Sequence, residues 1–374
     1  MLFKKMTLLD DLLNRIGEKL QLNQTRIEKA ELSYKSVSEW LKEDELFFKK
    51  YDINIYPQGS YRLGTTVKPK SKEEYDLDFI LEVNYDYKRL RPEEFLNQLE
   101  RRLNESEVYK NKIERKKRCV TINYENDFHL DVIPALPRDF FKGDNLKISD
   151  RKLSTWLDSN PKGYIKWFES KFIAQNLLLE KALDIEKLPS KVPYSFIQPL
   201  QRIVQLTKRH RDIYFEKEKE NSPRSIVLTT LITEYYNSWE SESESMLNVL
   251  QNIKNEIESN PYGRLVIVNP SNPNEKFSDL WDNKPHLYNY FKEFINSFYT
   301  FWKQLKQTQG IDKIGKQLEI MFGESVTQEV INEQVEYVEE LRKAGKLGMN
   351  VFGTLTSSNL SKKISIKRNT FYGD

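Results

Sequence analysis

Along the first fifty residues, apolar side chains recur every three or four positions: Leu8, Leu12, Ile16, Leu20, then Ile27, Ala30, Tyr34, Val37, Leu41. This spacing predicts a short and a long amphipathic helix, broken near 21–24. A strand is predicted over 53–56, a turn at Pro57-Gln58-Gly59-Ser60 and a helical turn over 61–66. A lysine-rich loop (68–74) leads into the apolar stretch that begins at Tyr75. Pro92 followed by Glu93 and Glu94 has the chemistry of a helix start, and that helix runs to about 104. Residues 113–124 and 127–134 read as a hairpin turning at 125–127. From 161 helical periodicity takes over, predicting helices over 161–172, 196–215, 225–236, 246–257, 286–305, 311–322 and 326–343. A loop rich in proline and asparagine separates the fourth from the fifth, and 346–374 have the glycine, serine and lysine content of a tail.

Strands interleaved with helices, then helices alone, place the chain in the α+β class, with a mixed-sheet lobe over 1–160, a helical lobe over 161–345 and a flexible tail over 346–374. The 374 residues can bury ample core. With 59 basic against 56 acidic side chains, no overall field marks a nucleic-acid coat or a membrane-surface protein. A single cysteine, Cys119, excludes an internal disulfide, and three histidines are too few for a Cys/His zinc cluster. No apolar run is long enough to span a bilayer and the N-terminus has no signal-peptide pattern, so a cytoplasmic protein is expected.

Within this frame the acids stand out. In Tyr75-Asp76-Leu77-Asp78-Phe79-Ile80-Leu81, Asp76 and Asp78 occupy alternate positions of a strand and share a face. Asp131 sits alone inside Phe128-His129-Leu130-Asp131-Val132-Ile133-Pro134. If the two strands are neighbours, three carboxylates converge, and at roughly 4–5 Å and an effective dielectric near 20 each pair repels by about 3–4 kcal/mol. Divalent cations relieve such repulsion, so Mg²⁺ and phosphate chemistry is expected. The competing reading makes Asp76 and Asp78 salt-bridge partners of Lys68, Lys70 or Lys72. Gly59-Ser60, sixteen residues before Asp76, adds a glycine that lets a ligand approach the backbone and a serine that offers hydroxyl and N–H to a phosphate; alone it is a turn and a helix cap.

Pro57-Gln58-Gly59-Ser60-Tyr61-Arg62-Leu63-Gly64-Thr65-Thr66, Tyr75-Asp76-Leu77-Asp78 and His129-Leu130-Asp131-Val132-Ile133-Pro134-Ala135 resemble the bacterial cGAS/DncV-like nucleotidyltransferases of the polymerase-β superfamily, the cyclic-oligonucleotide synthases of CBASS anti-phage defence. The likeness continues through Asn160-Pro161-Lys162, Leu206-Thr207-Lys208-Arg209-His210-Arg211-Asp212 and Val268-Asn269-Pro270-Ser271-Asn272-Pro273-Asn274-Glu275. The resemblance implies a bilobed fold whose cleft binds NTPs, ATP among them, with bases sandwiched by aromatic side chains. It implies a two-ion Mg²⁺ site (Mn²⁺ as substitute) on Asp76, Asp78 and Asp131, with Asp131 near the acceptor hydroxyl. Gly59 and Ser60 would hold the β- and γ-phosphates and Gln58 a second contact, while Lys208 and Ser225 reach the triphosphate from the helical side. Bland alternatives are a solvated helix charge for Lys208 and an N-cap for Ser225.

The expected reaction is template-independent transfer of nucleotidyl groups to a ribose hydroxyl, closing a cyclic di- or trinucleotide. The same residues would serve a linear oligonucleotide synthase or a transferase acting on an RNA or protein acceptor. An idle nucleotide-binding scaffold fits poorly with three intact aspartates. His129 reads as a packed, hydrogen-bonding histidine rather than a base, and His210 as structural or as exposed helix surface. The basic run 110–118 could contact nucleic acid, but its alternation better suits the outer face of an edge strand, where lysines discourage pairing with other chains. Without cysteines for a zinc module, activation by double-stranded DNA is doubtful. The tail, ending Thr370-Phe371-Tyr372-Gly373-Asp374, would suit a CBASS operon partner that conjugates the synthase through its C-terminus, or is frayed without function.

Overall fold

A computed structural model describes residues 7–70, 74–124, 127–139, 143–150, 154–171, 197–237 and 241–345, with three two-residue strands beyond them. The tail expectations for 346–374 therefore lie outside the described residues, those strands apart.

The two opening helices are α1 (Leu8–Lys19) and α2 (Gln24–Lys42). Thr7 caps α1 in a reciprocal box with Asp10, and Asn23 caps α2. Strand β1 (Ile53–Gln58) runs directly into the one-turn α3 (Gly59–Arg62), earlier than the helical turn expected at 61. Strand β2 (Tyr75–Val83) follows, then α4 (Pro92–Asn104) with its proline in the first turn. The stretch expected as a single strand over 113–124 is broken into β3 (Ile113–Arg115) and β4 (Val120–Tyr124) by a tight turn of three cations; β5 (Phe128–Pro137) returns beside β4. Two strands unforeseen from the pattern, β6 (Leu146–Asp150) and β7 (Thr155–Ser159), extend the sheet. Each is only five residues long, and the brief alternation of Leu146 and Ile148 with Lys147 and Ser149 is too short to mark a strand.

The sheet order is β1-β2-β5-β4-β3, with β6 on β5 and β7 on β6. Among the described residues of this sheet only β2 and β5 run parallel, connected through α4, β3 and β4; the other pairs are antiparallel. Tyr75, Leu77, Phe79, Leu81 and Val83 of β2 and Phe128, Leu130, Val132 and Leu136 of β5 pack with Ala30, Val37 and Leu41 of α2 and Phe95, Leu99 and Leu103 of α4. Alternation then turns Asp76, Asp78, His129 and Asp131 to the opposite face.

The helical body comprises α5 (Pro161–Ser170), α6 (Pro199–Tyr214), α7 (Ser225–Tyr235), α8 (Glu242–Ser259), a two-stranded insert β8 (Val268–Asn269) and β9 (Asn272–Lys276), and then the short α9 (Leu280–Asn283), α10 (His286–Gln307), α11 (Ile311–Phe322) and α12 (Glu324–Lys343). The first helix joins this body: Leu9, Leu12, Leu13, Ile16 and Leu20 share its core with Val204, Met246, Phe298 and Trp302. Its place in the chain groups it with the sheet lobe, but an amphipathic pattern says only that one face is buried, not against what. His210 belongs to the same interior, its ring 4.4 Å from that of Phe298, so it is core and not helix surface.

Glu275 stitches the two parts. It accepts from Ser159 Oγ at 3.0 Å, Asn160 N–H at 2.8 Å and Asn269 Nδ2 at 2.7 Å. Asn160 in turn caps α5 through Gly163 N–H at 2.7 Å. Thus two motifs separated by a hundred residues in the chain, Asn160-Pro161 and Val268 through Glu275, meet in one hydrogen-bonded joint.

Candidate active site

The parallel register of β2 and β5 sets Asp78 opposite Asp131 and Asp76 opposite His129. The convergence expected from alternation therefore depends on one strand pairing. Asp78 is half-buried, and burial together with the charges of Asp131 and Asp76 pushes its carboxyl up to about 7. Asp76 shifts upward from burial and from Asp131, with Lys116 opposing. Asp131 Oδ1 accepts from the Thr121 hydroxyl and lies 3.3 Å from Lys116 Nζ. Among the described residues neither Lys68 nor Lys70 forms an ion pair with Asp76 or Asp78, and Lys70 pairs instead with Glu216 at 2.6 Å; Lys72 lies outside the described residues.

At the end of β1, Gly59 takes φ +63°, a conformation that an L side chain adopts only with strain. A Cβ there would drive into the Asp78 carboxylate, 3.2 Å from its Cγ. The glycine thus presses the phosphate-loop backbone onto the acids. Ser60 Oγ bonds Thr66 Oγ1 at 3.1 Å, and Thr65 N–H donates back to Ser60 O at 2.8 Å, closing the loop. Gln58 lies opposite Asp78 in the β1–β2 register and is not among the residues lining the cleft.

A cleft of about 680 Å³ lies between this loop and the helical body, lined by Gly59, Ser60, Asp76 and Asp78 on one side and Lys208, Arg211 and Ser225 on the other. Lys208 is buried. Its Nζ donates to the carbonyl and the hydroxyl of Thr65, both at 3.1 Å, tying α6 to the loop. Burial and the nearby Arg211 hold its ammonium down to about 7. The solvated-charge reading of Lys208 is thereby excluded. Ser225 opens α7, and its hydroxyl accepts from Arg211 Nη1. His129 is held by Asn123 at 2.8 Å and Glu74 at 2.7 Å, a hydrogen-bonded histidine.

The cleft thus sets carboxylates that resist ionising opposite an ammonium that resists protonation. A metal–triphosphate supplies the cation one side needs and the anion the other needs. Three hard carboxylate oxygens suit Mg²⁺ or Mn²⁺, and the glycine cradle leaves room for phosphate. Among the described residues no three such ligands are drawn together around one point, and Asp131 is paired with Lys116. From its place in the basic run, Lys116 is expected on the outer edge of the sheet. A turn within 113–124, which no glycine or proline marks, brings it inward.

Residues 6–171 match the Second Messenger Oligonucleotide or Dinucleotide Synthetase domain (SMODS). A c-di-GMP synthase of Roseivirga ehrenbergii is 38% identical over 98% of this chain and 98% of its own length. The chain belongs to the cGAS/DncV-like nucleotidyltransferases. Another relative, the cyclic dinucleotide synthase CdnG of Bradyrhizobium diazoefficiens, is 27% identical over 73% of this chain and 70% of its own. The fold of this nucleotidyltransferase is shared with the solved CdnG–GTP complex from the same organism, at a TM-score of 0.72, 23% identity and coverage of 87% of this chain and 98% of the other. It is shared more distantly with Vibrio cholerae DncV, at a TM-score of 0.55 and 17% identity, covering 85% and 86%. The polymerase-β-like α+β fold is thus confirmed. Among the described residues no helix is long and apolar enough to cross a membrane.

Proposed function

We propose that this nucleotidyltransferase condenses two GTP into cyclic di-GMP, releasing two pyrophosphates. The observation that carries this reading is the end-to-end 38% identity with a c-di-GMP synthase, joined to a cleft that pairs Asp76 and Asp78 with Lys208. A ribose hydroxyl of one GTP attacks the α-phosphorus of the other, pyrophosphate leaves, and a second attack within the linear product closes the ring. When bound, a pair of Mg²⁺ ions supplies stabilisation of the attacking alkoxide and of the departing pyrophosphate.

Asp76 and Asp78 would hold these ions, and Asp131 the one nearest the acceptor hydroxyl. Gly59 lets the donor's β- and γ-phosphates lie against the loop backbone, where Ser60 offers its hydroxyl. Lys208, already fastened to Thr65, meets the same triphosphate from α6, and Ser225 from α7. Dinucleotide rather than trinucleotide product agrees with the names of both curated relatives. Membership of this family also supports a place in CBASS anti-phage signalling.

The test is incubation with each NTP alone and in pairs, with Mg²⁺ or Mn²⁺, followed by phosphatase and chromatography. GTP alone should yield a phosphatase-resistant dinucleotide, absent with Asp76→Asn/Asp78→Asn. Product that requires a second base refutes the cyclic di-GMP assignment, and product that vanishes with phosphatase refutes ring closure.

A further inference from the structure

The β3–β4 turn carries three consecutive cations, Lys116-Lys117-Arg118, and the fold divides them. Lys117 Nζ and Arg118 Nε reach Asp150 Oδ2 at 2.8 and 3.3 Å; that carboxylate, on β6, has no exposed side-chain surface. Lys116 N–H donates to Cys119 O at 3.0 Å, closing the turn. Anchored from behind in this way, the turn sends only Lys116 over the acid face, where its Nζ sits 3.3 Å from Asp131 Oδ1. The Thr121 hydroxyl donates to that same oxygen. Lys116 is 38% exposed and Asp131 15%, so the long side chain can leave toward water while the carboxylate stays in place.

We infer that Lys116 is a tethered counter-cation: it neutralises Asp131 before substrate arrives and gives up that place when metal enters with nucleotide. The inference rests on the metal reading of Asp76, Asp78 and Asp131. It makes Lys116 a positioning residue that acts through Asp131. Metal alone must displace the ammonium unaided, whereas metal bound to a triphosphate brings additional ligands and an anion that the released ammonium can face. The device would keep the acids paired between turnovers and make metal uptake depend on nucleotide.

The experiment is Mn²⁺ binding followed by electron paramagnetic resonance, with and without a non-reactive α,β-methylene analogue of GTP. Without nucleotide, K116M and K116Q should bind Mn²⁺ about fivefold more tightly than wild type, equivalent to about 1 kcal/mol. K116R, which keeps the cation, should stay near wild type. So should K110M, which removes the same charge from a lysine paired instead with Glu107. Unchanged nucleotide-free affinity in K116M and K116Q proteins that melt like wild type overturns the inference, as does equal tightening in K110M. Should wild type fail to take up Mn²⁺ even with the analogue, or Asp76→Asn/Asp78→Asn take it up equally, the metal reading itself falls.

Discussion

Lys208→Met should make the protein more stable and less able to hold nucleotide. The ammonium sits in a buried position of α6 with two oxygens of Thr65 and no carboxylate in contact, and its pKa falls from 10.5 to about 7. A lysine lowered on folding penalises the folded state: the unfolded chain binds a proton there at pH values where the folded one does not. That penalty is full below about pH 7 and fades as the pH rises toward 10.5. At pH 7.5 the gap of three units, at 1.36 kcal/mol each, is about 4 kcal/mol. Methionine fills similar volume without the charge but forfeits two hydrogen bonds worth about 1 kcal/mol apiece. The net is about 2 kcal/mol in favour of the variant, or roughly 2–3 °C in melting midpoint at about 2.1 cal/mol/K per residue.

Differential scanning fluorimetry at pH 7.5 and 9.5, with and without GTP and Mg²⁺, reads both halves. The variant should melt higher without ligand at pH 7.5, should lose that margin at pH 9.5, where the penalty of about 1.4 kcal/mol no longer exceeds the two lost hydrogen bonds, and should lose most of the shift that GTP produces in wild type. A variant that melts lower at pH 7.5, or that keeps the full GTP shift, refutes the picture of Lys208 as a strained phosphate ligand.

Gly59→Ala should fold but lose at least about 100-fold in product formation, because φ +63° and the Asp78 carboxylate beneath it together push the phosphate loop off the acids; steady-state pyrophosphate release measures this, and near-normal turnover would contradict the cradle. His210, pressed among Phe294 and Phe298, is held down to about 4 by burial. Its neutral form is favoured on folding, so stability should fall as the pH drops below 6.5 and level off below about 4. Between pH 7 and 5 the loss is about 2 kcal/mol, and urea midpoints of His210→Phe should lack that slope; a slope equal to wild type would assign it elsewhere.

Much of this molecule was legible locally. The boundaries of α11 match its apolar spacing residue for residue, and β2 shows its two faces in the alternation of Tyr75, Leu77 and Phe79 with Asp76 and Asp78. What escaped was short or polar: β6 and β7, the insert of β8 and β9, and the turn that divides 113–124. These elements are held by partners far along the chain, such as the Glu275 bonds to Ser159 and Asn160, and a local pattern carries no trace of them. The partner of α1 escaped for the same reason.

Sequence by itself determined that Asp76 and Asp78 share a face, that Gly59-Ser60 precedes them, and that a helical region follows, since backbone periodicity is a property of neighbouring residues. Only the tertiary structure decided that β5 lies parallel beside β2, setting Asp131 opposite Asp78, that Lys208 reaches Thr65 across the cleft, and that Lys116 turns inward. Side-chain alternation selects a face, but pairing, burial and charge compensation among distant segments select what that face meets.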